Sequence, residues 1–264
     1  MDRIQVLGAN NLAAGMINTS STDDNPTAEK IAPYALLGMT LVTGLVDAVS
    51  FLSLGRVFTA NMTGNILILA FATAGVPGLS VARSSTALIT FVIGAILGGR
   101  IVARANADSR IRFAAQAFLL EVAFLFAASL CAIGYRGDLL RDSFRRFALI
   151  ALTALAMGTR NAAVRKLAIP DLTTTVLTLT ITGIGADSSL AKGNNPRLAR
   201  RIGSVLAIFF GAAFGAVAIR HSISAALWLG TVISGLCGVA LFRALRTPDK
   251  PVTARVASQL GSCT

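Results

Sequence analysis

The chain is 264 residues long, 54% hydrophobic and only 14% charged, with a mean hydropathy of +0.70. Soluble domains carry about 25% charged residues, so this composition excludes an ordinary soluble enzyme and points to several membrane-spanning helices. The net charge of +12 does not signal nucleic acid, because the arginines punctuate apolar runs and no basic patch is interleaved with aromatics.

In chain order, residues 1–32 are polar, include "NTSSTDDNPTAEK" and carry Asp23, Asp24 and Glu29. They lack the basic start and apolar core of a cleaved signal peptide and read as a disordered tail on the cytoplasmic side. Eight apolar runs follow, at about residues 33–54, 58–76, 85–104, 113–134, 147–168, 172–186, 201–219 and 223–243. Most approach the roughly 20 residues needed to cross a hydrocarbon core. The second, "FTANMTGNILILAFATAG", opens on polar residues, and the sixth, in "DLTTTVLTLTITGIG", is short and carries six threonines. Each suits a re-entrant half-helix lining a cavity. The predicted fold class is therefore all-α, a polytopic helical membrane protein with eight hydrophobic segments. Six full spans plus two half-helices are favoured, with eight spans as the alternative.

Shifting the second half by 114 positions places Gly158 on Gly44, Asn161 on Asp47, Ala162 on Ala48 and Thr173 on Thr59, and carries every segment onto a partner. This predicts two four-segment repeats, residues 33–134 and 147–245, joined by a basic loop at 135–146 and followed by a polar C-terminal tail at 246–264. With six spans the repeats are inverted; with eight they are parallel. With the N-terminus inside and Arg160 set aside, six spans put 16 Lys and Arg inside and 7 outside, and eight spans put 15 inside and 8 outside. Both obey the rule that the more basic side stays cytoplasmic.

Charge deep in a bilayer costs at least a few kcal/mol, which singles out Asp47, Glu121 and Arg160. The repeat sets Arg160 beside the counterpart of Asp47, so an ion pair between the two is expected where the halves meet, with Asn161 next to it. Helix-helix glue is the structural alternative. Glu121 is expected either at such a site or in a lipid-accessible groove near Arg100 or Arg104. Asn61 and Asn65 are four residues apart and share a face with Gly64; together with Thr63 they suit a small hydrated pocket. Thr174, Thr178 and Thr182 make a similar ridge in the sixth segment, suited to packing or to solute contact. Thr59 and Asp171 are the expected N-caps of the two short helices, whose positive ends would face an anionic group. Gly94 with Gly98 and Gly211 with Gly215 form GxxxG patterns expected to pack helices.

Enzyme chemistry finds few parts. His221 is the single histidine and there is no P-loop or H-E-x-x-H, so neither a serine-histidine site nor paired haem ligands are available. Cys131, Cys237 and Cys263 have no metal-binding spacing, and no cofactor is expected.

"GLVDAVSFLSLGRVFTANMTGN" resembles the signature of the YoaK-like family of bacterial multi-pass membrane proteins, in which G-x-x-D-A leads into A-N-M-T-G-N. The matching positions are Gly44, Asp47, Ala48, Asn61, Met62, Thr63, Gly64 and Asn65, and "GTRNAAVRKLAIPDLTTTVLT" is similar to the weaker second motif. Where that family often has Gln before the second-half Asn, this chain has Arg160. The resemblance implies about six transmembrane helices and a bacterial inner-membrane location, without a substrate or reaction. The sequence thus supports a carrier of a small molecule or ion with Asp47 as coupling group. A non-catalytic scaffold or partner-binding protein, or a channel, is the alternative. The lipid bilayer is the expected partner, with a small molecule or ion as the expected substrate, and the oligomeric state is left open.

Overall fold

The structure is a computed structural model that describes residues 26–104, 110–135, 143–167, 177–195 and 197–246. These residues form eight α-helices and one 3-10 turn, with no strand among them. The helices are α1 Pro26–Ser53, α2 Met62–Thr73, α3 Val81–Ala103, α4 Arg110–Cys131, α5 Ser143–Leu167, α6 Leu177–Ala186, α7 Leu198–Ile219 and α8 Ile223–Arg246; the turn is Ser189–Ala191. Each apolar run holds one helix, and the protein is a polytopic helical membrane protein. Five helices contain stretches long and apolar enough to cross a bilayer: Pro33–Ser53, Val81–Ala103, Ser143–Lys166, Leu198–Ile219 and Ile223–Arg243. α4 opens on Arg110 and Arg112, which leaves Gln116–Cys131 as its apolar part. Its 22 residues still reach about 33 Å at 1.5 Å per residue.

α1 starts at Pro26 and continues through Pro33, so the end of the expected N-terminal tail is helical. Thr173, Thr174, Asp171, most of the 135–146 loop and the remainder of both tails lie outside the described residues.

Side-chain contacts set the direction of each long helix. α1 and α7 run parallel, Leu41 meeting Gly211 and Leu45 meeting Gly215. α3 and α5 do the same, Gly94 meeting Leu155 and Gly98 meeting Thr159. α8 is antiparallel to α1, with Gly38 beside Cys237 and Gly230 beside Val42 and Leu45. It is antiparallel to α4 as well, where Glu121 meets Ser234 and Phe126 lies edge-on to Trp228 at 5.2 Å. α4 and α5 are antiparallel through Glu121 with Arg160 and Tyr135 with Arg146.

The six long helices therefore alternate in direction along the chain. α2 and α6 each fall between two helices that already alternate, so each short helix leaves and returns at one end of the bundle. For α2 this is visible in Arg83, which donates to the carbonyl of Gly55 before the helix and of Gly78 after it, both at 3.1 Å. At the opposite end, Arg201 holds the C-terminal end of α6 by bonds of 2.6 Å to the Gly183 carbonyl and the Asp187 carboxylate.

α1 and α5 are the central helices, with 67% and 61% of their spanning windows buried, against 22% for α3 and 17% for α7. The outer helices cross the central ones on glycine. A Cβ on Gly94, Gly98 or Gly211 would collide with the carbonyl of Leu155, Thr159 or Leu41, and one on Gly44 or Gly158 with that of Ile208 or Phe91. The two GxxxG pairs thus mark backbone-to-backbone crossings. Gly44 and Gly158, at their own crossings, lie 114 positions apart, and Gly94 with Gly98 lie 117 positions before Gly211 with Gly215. The difference is close to one helical turn, and the connection at 187–197 is longer than the one at 74–80.

This packing separates two neighbouring glycines. Gly98→Ala drives a methyl into the Thr159 backbone and is expected to cost about 1–3 kcal/mol, the usual scale of overpacking. A methyl on Gly99 would meet nothing within 4 Å, so Gly99→Ala is expected to be neutral or slightly stabilising, as helix propensity dictates. Melting midpoints of both purified variants in detergent check the contrast.

Candidate functional site

Asp47 lies two turns before the end of α1. Beyond Ser53 the chain turns back through Gly55 and Arg56, both at positive φ (102° and 59°), and dips alongside α1 before α2 begins. There the Asp47 carboxylate receives three backbone amides. Oδ1 accepts from Thr59 at 3.0 Å and Ala60 at 2.8 Å, and Oδ2 from Asn61 at 3.2 Å. A chain segment leading into a helix inside a membrane has amide groups with no intrahelical acceptor and no water to turn to. A single carboxylate answers three of them with charge-assisted bonds.

The motif residues complete the same turn. Asn61 is the N-cap of α2, its Oδ1 accepting from the Gly64 amide at 3.3 Å; Thr59, the expected cap, stands two residues upstream. Asn65 is 1% exposed and clamps Phe58 from both sides, its Oδ1 accepting from the Phe58 amide at 3.0 Å and its Nδ2 donating to the Phe58 carbonyl. Gly64 leaves room for the Phe58 ring, which stacks on Phe51 at 4.9 Å. Asn61 and Asn65 therefore do not form one pocket face as the i, i+4 spacing suggested. Asn65 is a buried clamp, and Asn61 is exposed at the mouth of the turn.

A cavity of about 850 Å³ opens beside this turn. Thr43, Gly44, Asp47 and Ala48 of α1 line it, with Asn61, Thr63 and Gly64 at the start of α2, Leu177 and Thr178 at the start of α6, and Ile208 and Ala212 of α7. Its volume falls in the range that holds a small molecule. The N-terminal ends of both short helices face it, bringing their partial positive charge. The structure thus gathers Asp47, Asn61, Thr63, Gly64 and Thr178 around one space. Thr182 is exposed and Asn161 is half-buried on α5; neither lines the cavity, and Thr174 lies outside the described residues.

Arg160 does not pair with Asp47. Its Nη1 donates to Glu121 Oε1 at 3.2 Å and to the Met39 carbonyl at 2.9 Å, while Nη2 donates to Thr43 Oγ1 at 2.6 Å and contacts Met157 Sδ at 2.9 Å. Glu121 Oε1 also accepts from Ser234 at 2.7 Å. Both charged side chains are 0% exposed, so Glu121 faces neither a lipid groove nor Arg100 and Arg104. Asp47 is consumed by backbone amides, which left Glu121 as the carboxylate free to neutralise Arg160. The sequence reading missed Thr43, which touches Arg160 and lines the cavity; its spacing of four residues from Asp47 was the available signal. Among the described residues, no group of three or more His, Cys, Asp or Glu is placed to hold a metal ion.

The family described as "Protein of unknown function (DUF1275)" matches residues 35–240. The UPF0700 transmembrane protein YoaK of Bacillus subtilis (strain 168) is 36% identical over 151 residues, which is 57% of this chain and 64% of that protein. The match thus spans just under two thirds of the relative's length. No solved structure matches.

Removing one partner of a buried ion pair strands the other. Glu121→Leu is expected to destabilise by about 3–5 kcal/mol, and Glu121→Leu combined with Arg160→Met to recover most of that loss. Melting in detergent of both single variants and the double variant checks this.

Proposed function

The chain belongs to the DUF1275 family, and from that premise we propose that it is a secondary carrier of a small solute in the bacterial inner membrane, non-catalytic, with its N-terminus in the cytoplasm. The observation that carries this reading is one cavity of about 850 Å³ bounded by Asp47 and by the N-terminal ends of the two short helices. In this reading the two units, residues 33–134 and 147–245, are inverted repeats of three crossings and one half-helix each. The alternating directions of the long helices support that arrangement. Inverted repeats with discontinuous helices at a midplane site are a recurring carrier design.

Asp47 is the coupling group. As a carboxylate it staples residues 59–61 to α1. Protonation removes the charge and turns one oxygen into a donor facing N–H groups, so the staple loosens and the start of α2 is free to move against the cavity. Proton binding and the shape of the solute site are thereby linked through three hydrogen bonds. Asn61, Thr63 and Thr178 supply polar contacts to the solute, and the apolar wall of Ala48, Leu67 and Ile208 limits its size.

A second reading has its own observation. Asp47, Asn61 and Asn65 are satisfied within the turn itself, as they would be in a scaffold that binds a partner protein. Purified chain in liposomes separates the two. The carrier reading expects proton-linked solute flux that falls by about tenfold or more in Asp47→Asn, equivalent to about 1.4 kcal/mol or more, because the amide sets an N–H against the backbone donors. If the wild type moves no screened solute and Asp47→Asn only lowers the melting midpoint, the scaffold reading holds.

The six-crossing topology has its own check. In a chain whose native cysteines are changed to serine, Pro77→Cys and Leu190→Cys are expected to react with an impermeant maleimide from opposite sides of the membrane, Leu190→Cys from the cytoplasmic side. Labelling of both from one side returns the eight-span topology.

A further inference from the structure

The charges that stand near the cavity beside Asp47 are already answered within the protein. Arg160 touches the wall through Thr43, and its guanidinium is paired with Glu121 and bonded to the Met39 carbonyl and the Thr43 hydroxyl. Asp47 spends both carboxylate oxygens on the amides of residues 59–61, and no other ionisable side chain among the described residues lines the space. The starts of α2 and α6 bring roughly half a positive unit each, and the carboxylate brings one negative unit, so the cavity as a whole is close to neutral. An anion entering it meets the carboxylate and finds no cationic side chain on the wall. A cation engages Asp47 only by drawing it off the backbone, which leaves amide donors short of an acceptor inside a membrane.

The hydrogen-bonding groups left unspent are uncharged. Asn61 uses its Oδ1 on the Gly64 amide, and its Nδ2 has no hydrogen-bond partner among the described residues; the hydroxyls of Thr63 and Thr178 have none either. All three side chains are exposed, and all three line the cavity. A carboxamide nitrogen offers two donors, and each hydroxyl a donor and an acceptor, so the free capacity leans toward donors. Phe51, Leu52, Leu67, Leu177, Ile208 and Ala212 complete an apolar wall. We propose that the solute of this cavity is an uncharged molecule, an apolar body carrying carbonyl, hydroxyl or carboxamide oxygens that the Asn61 amide and the Thr63 and Thr178 hydroxyls bind. The assignment rests on the reading of the cavity as a solute site and adds the class of solute. A charged solute gives up its hydration there without gaining a free counter-charge. A neutral one gives up less and gains hydrogen bonds of ordinary strength.

Benzamide, benzoate and benzamidine share one skeleton and are neutral, anionic and cationic at neutral pH, which isolates charge from shape. Each is titrated against the full chain, purified in detergent at constant ionic strength, with the melting midpoint as readout. Benzamide is expected to raise the midpoint at concentrations about tenfold or more below those that benzoate or benzamidine needs. Thr63→Val and Thr178→Val each remove one exposed hydroxyl and keep the side-chain shape. Both are expected to keep the unliganded midpoint and to weaken benzamide about threefold to tenfold, the scale of one neutral hydrogen bond. Thr182→Val, on an exposed side chain of α6 outside the cavity, is expected to change nothing. A response to benzoate or benzamidine as strong as that to benzamide overturns the proposal, as does no response to any of the three. So does a benzamide response that Thr63→Val and Thr178→Val leave intact, or that Thr182→Val weakens equally. Liposome flux judges the carrier reading separately. Benzamide binding without flux of any screened solute defeats the carrier and leaves the uncharged-solute site standing, whereas proton-linked flux of a charged solute keeps the carrier and defeats that site.

Discussion

The guanidinium of Arg160 is the constraint around which the bundle is organised. A charge this deep is tolerated only when it is paired, and the partners of its two Nη groups sit on different helices. Met39 and Thr43 belong to α1 and Glu121 to α4, and Ser234 of α8 holds the Glu121 oxygen that Arg160 uses. Four helices are thereby fixed in rotation about one point. The apolar core, with Val42, Leu45, Leu125, Met157 and Leu227 fully buried, supplies stability that does not discriminate between rotations; the ion pair supplies direction. Because Thr43 is held inward against Arg160, Asp47 one turn later is aimed at the turn before α2, so the central pair sets the geometry of the site without taking part in it.

The glycine crossings act on translation where the ion pair acts on rotation. Each outer helix approaches its central helix so closely that carbonyls occupy the space of a missing methyl, on α3 against α5 and on α7 against α1. Two crossings of the same kind, one on either side of the core, leave the N-terminal ends of α2 and α6 converging between them. The cavity is therefore a by-product of close packing elsewhere, bounded by helices that cannot approach each other further.

Much of this was legible in the sequence because bilayers demand long apolar runs. The eight runs became eight helices, the polar openings of the second and sixth marked the two short ones, and the GxxxG pairs marked crossings. Partners were less legible. Asp47, Glu121 and Arg160 stood out because ionisable residues are rare in such segments, yet which of them pair depends on helix rotation, and composition carries no trace of that. The amides that hold Asp47 were invisible for a different reason: every residue except proline has one. Thr59 and Asn61 are equally good caps by residue type, and both amides reach Asp47, but only the Asn61 side chain accepts an amide of the first turn of α2. Asn65 read as a pocket residue because four-residue spacing reports a shared face, and it says nothing of which backbone group waits there.

One asymmetry runs through an otherwise balanced molecule. The position on α5 that answers to Asp47 is Asn161, an amide that has no proton to gain or lose near neutral pH. The first short helix is fastened by an ionisable latch, and the matching place in the other half holds a neutral group. In the carrier reading, a change in acidity on either side of the membrane loosens one door only. In the carrier we propose, two such halves, alike in shape and unlike in chemistry, would have a preferred sense of operation before any cargo arrives.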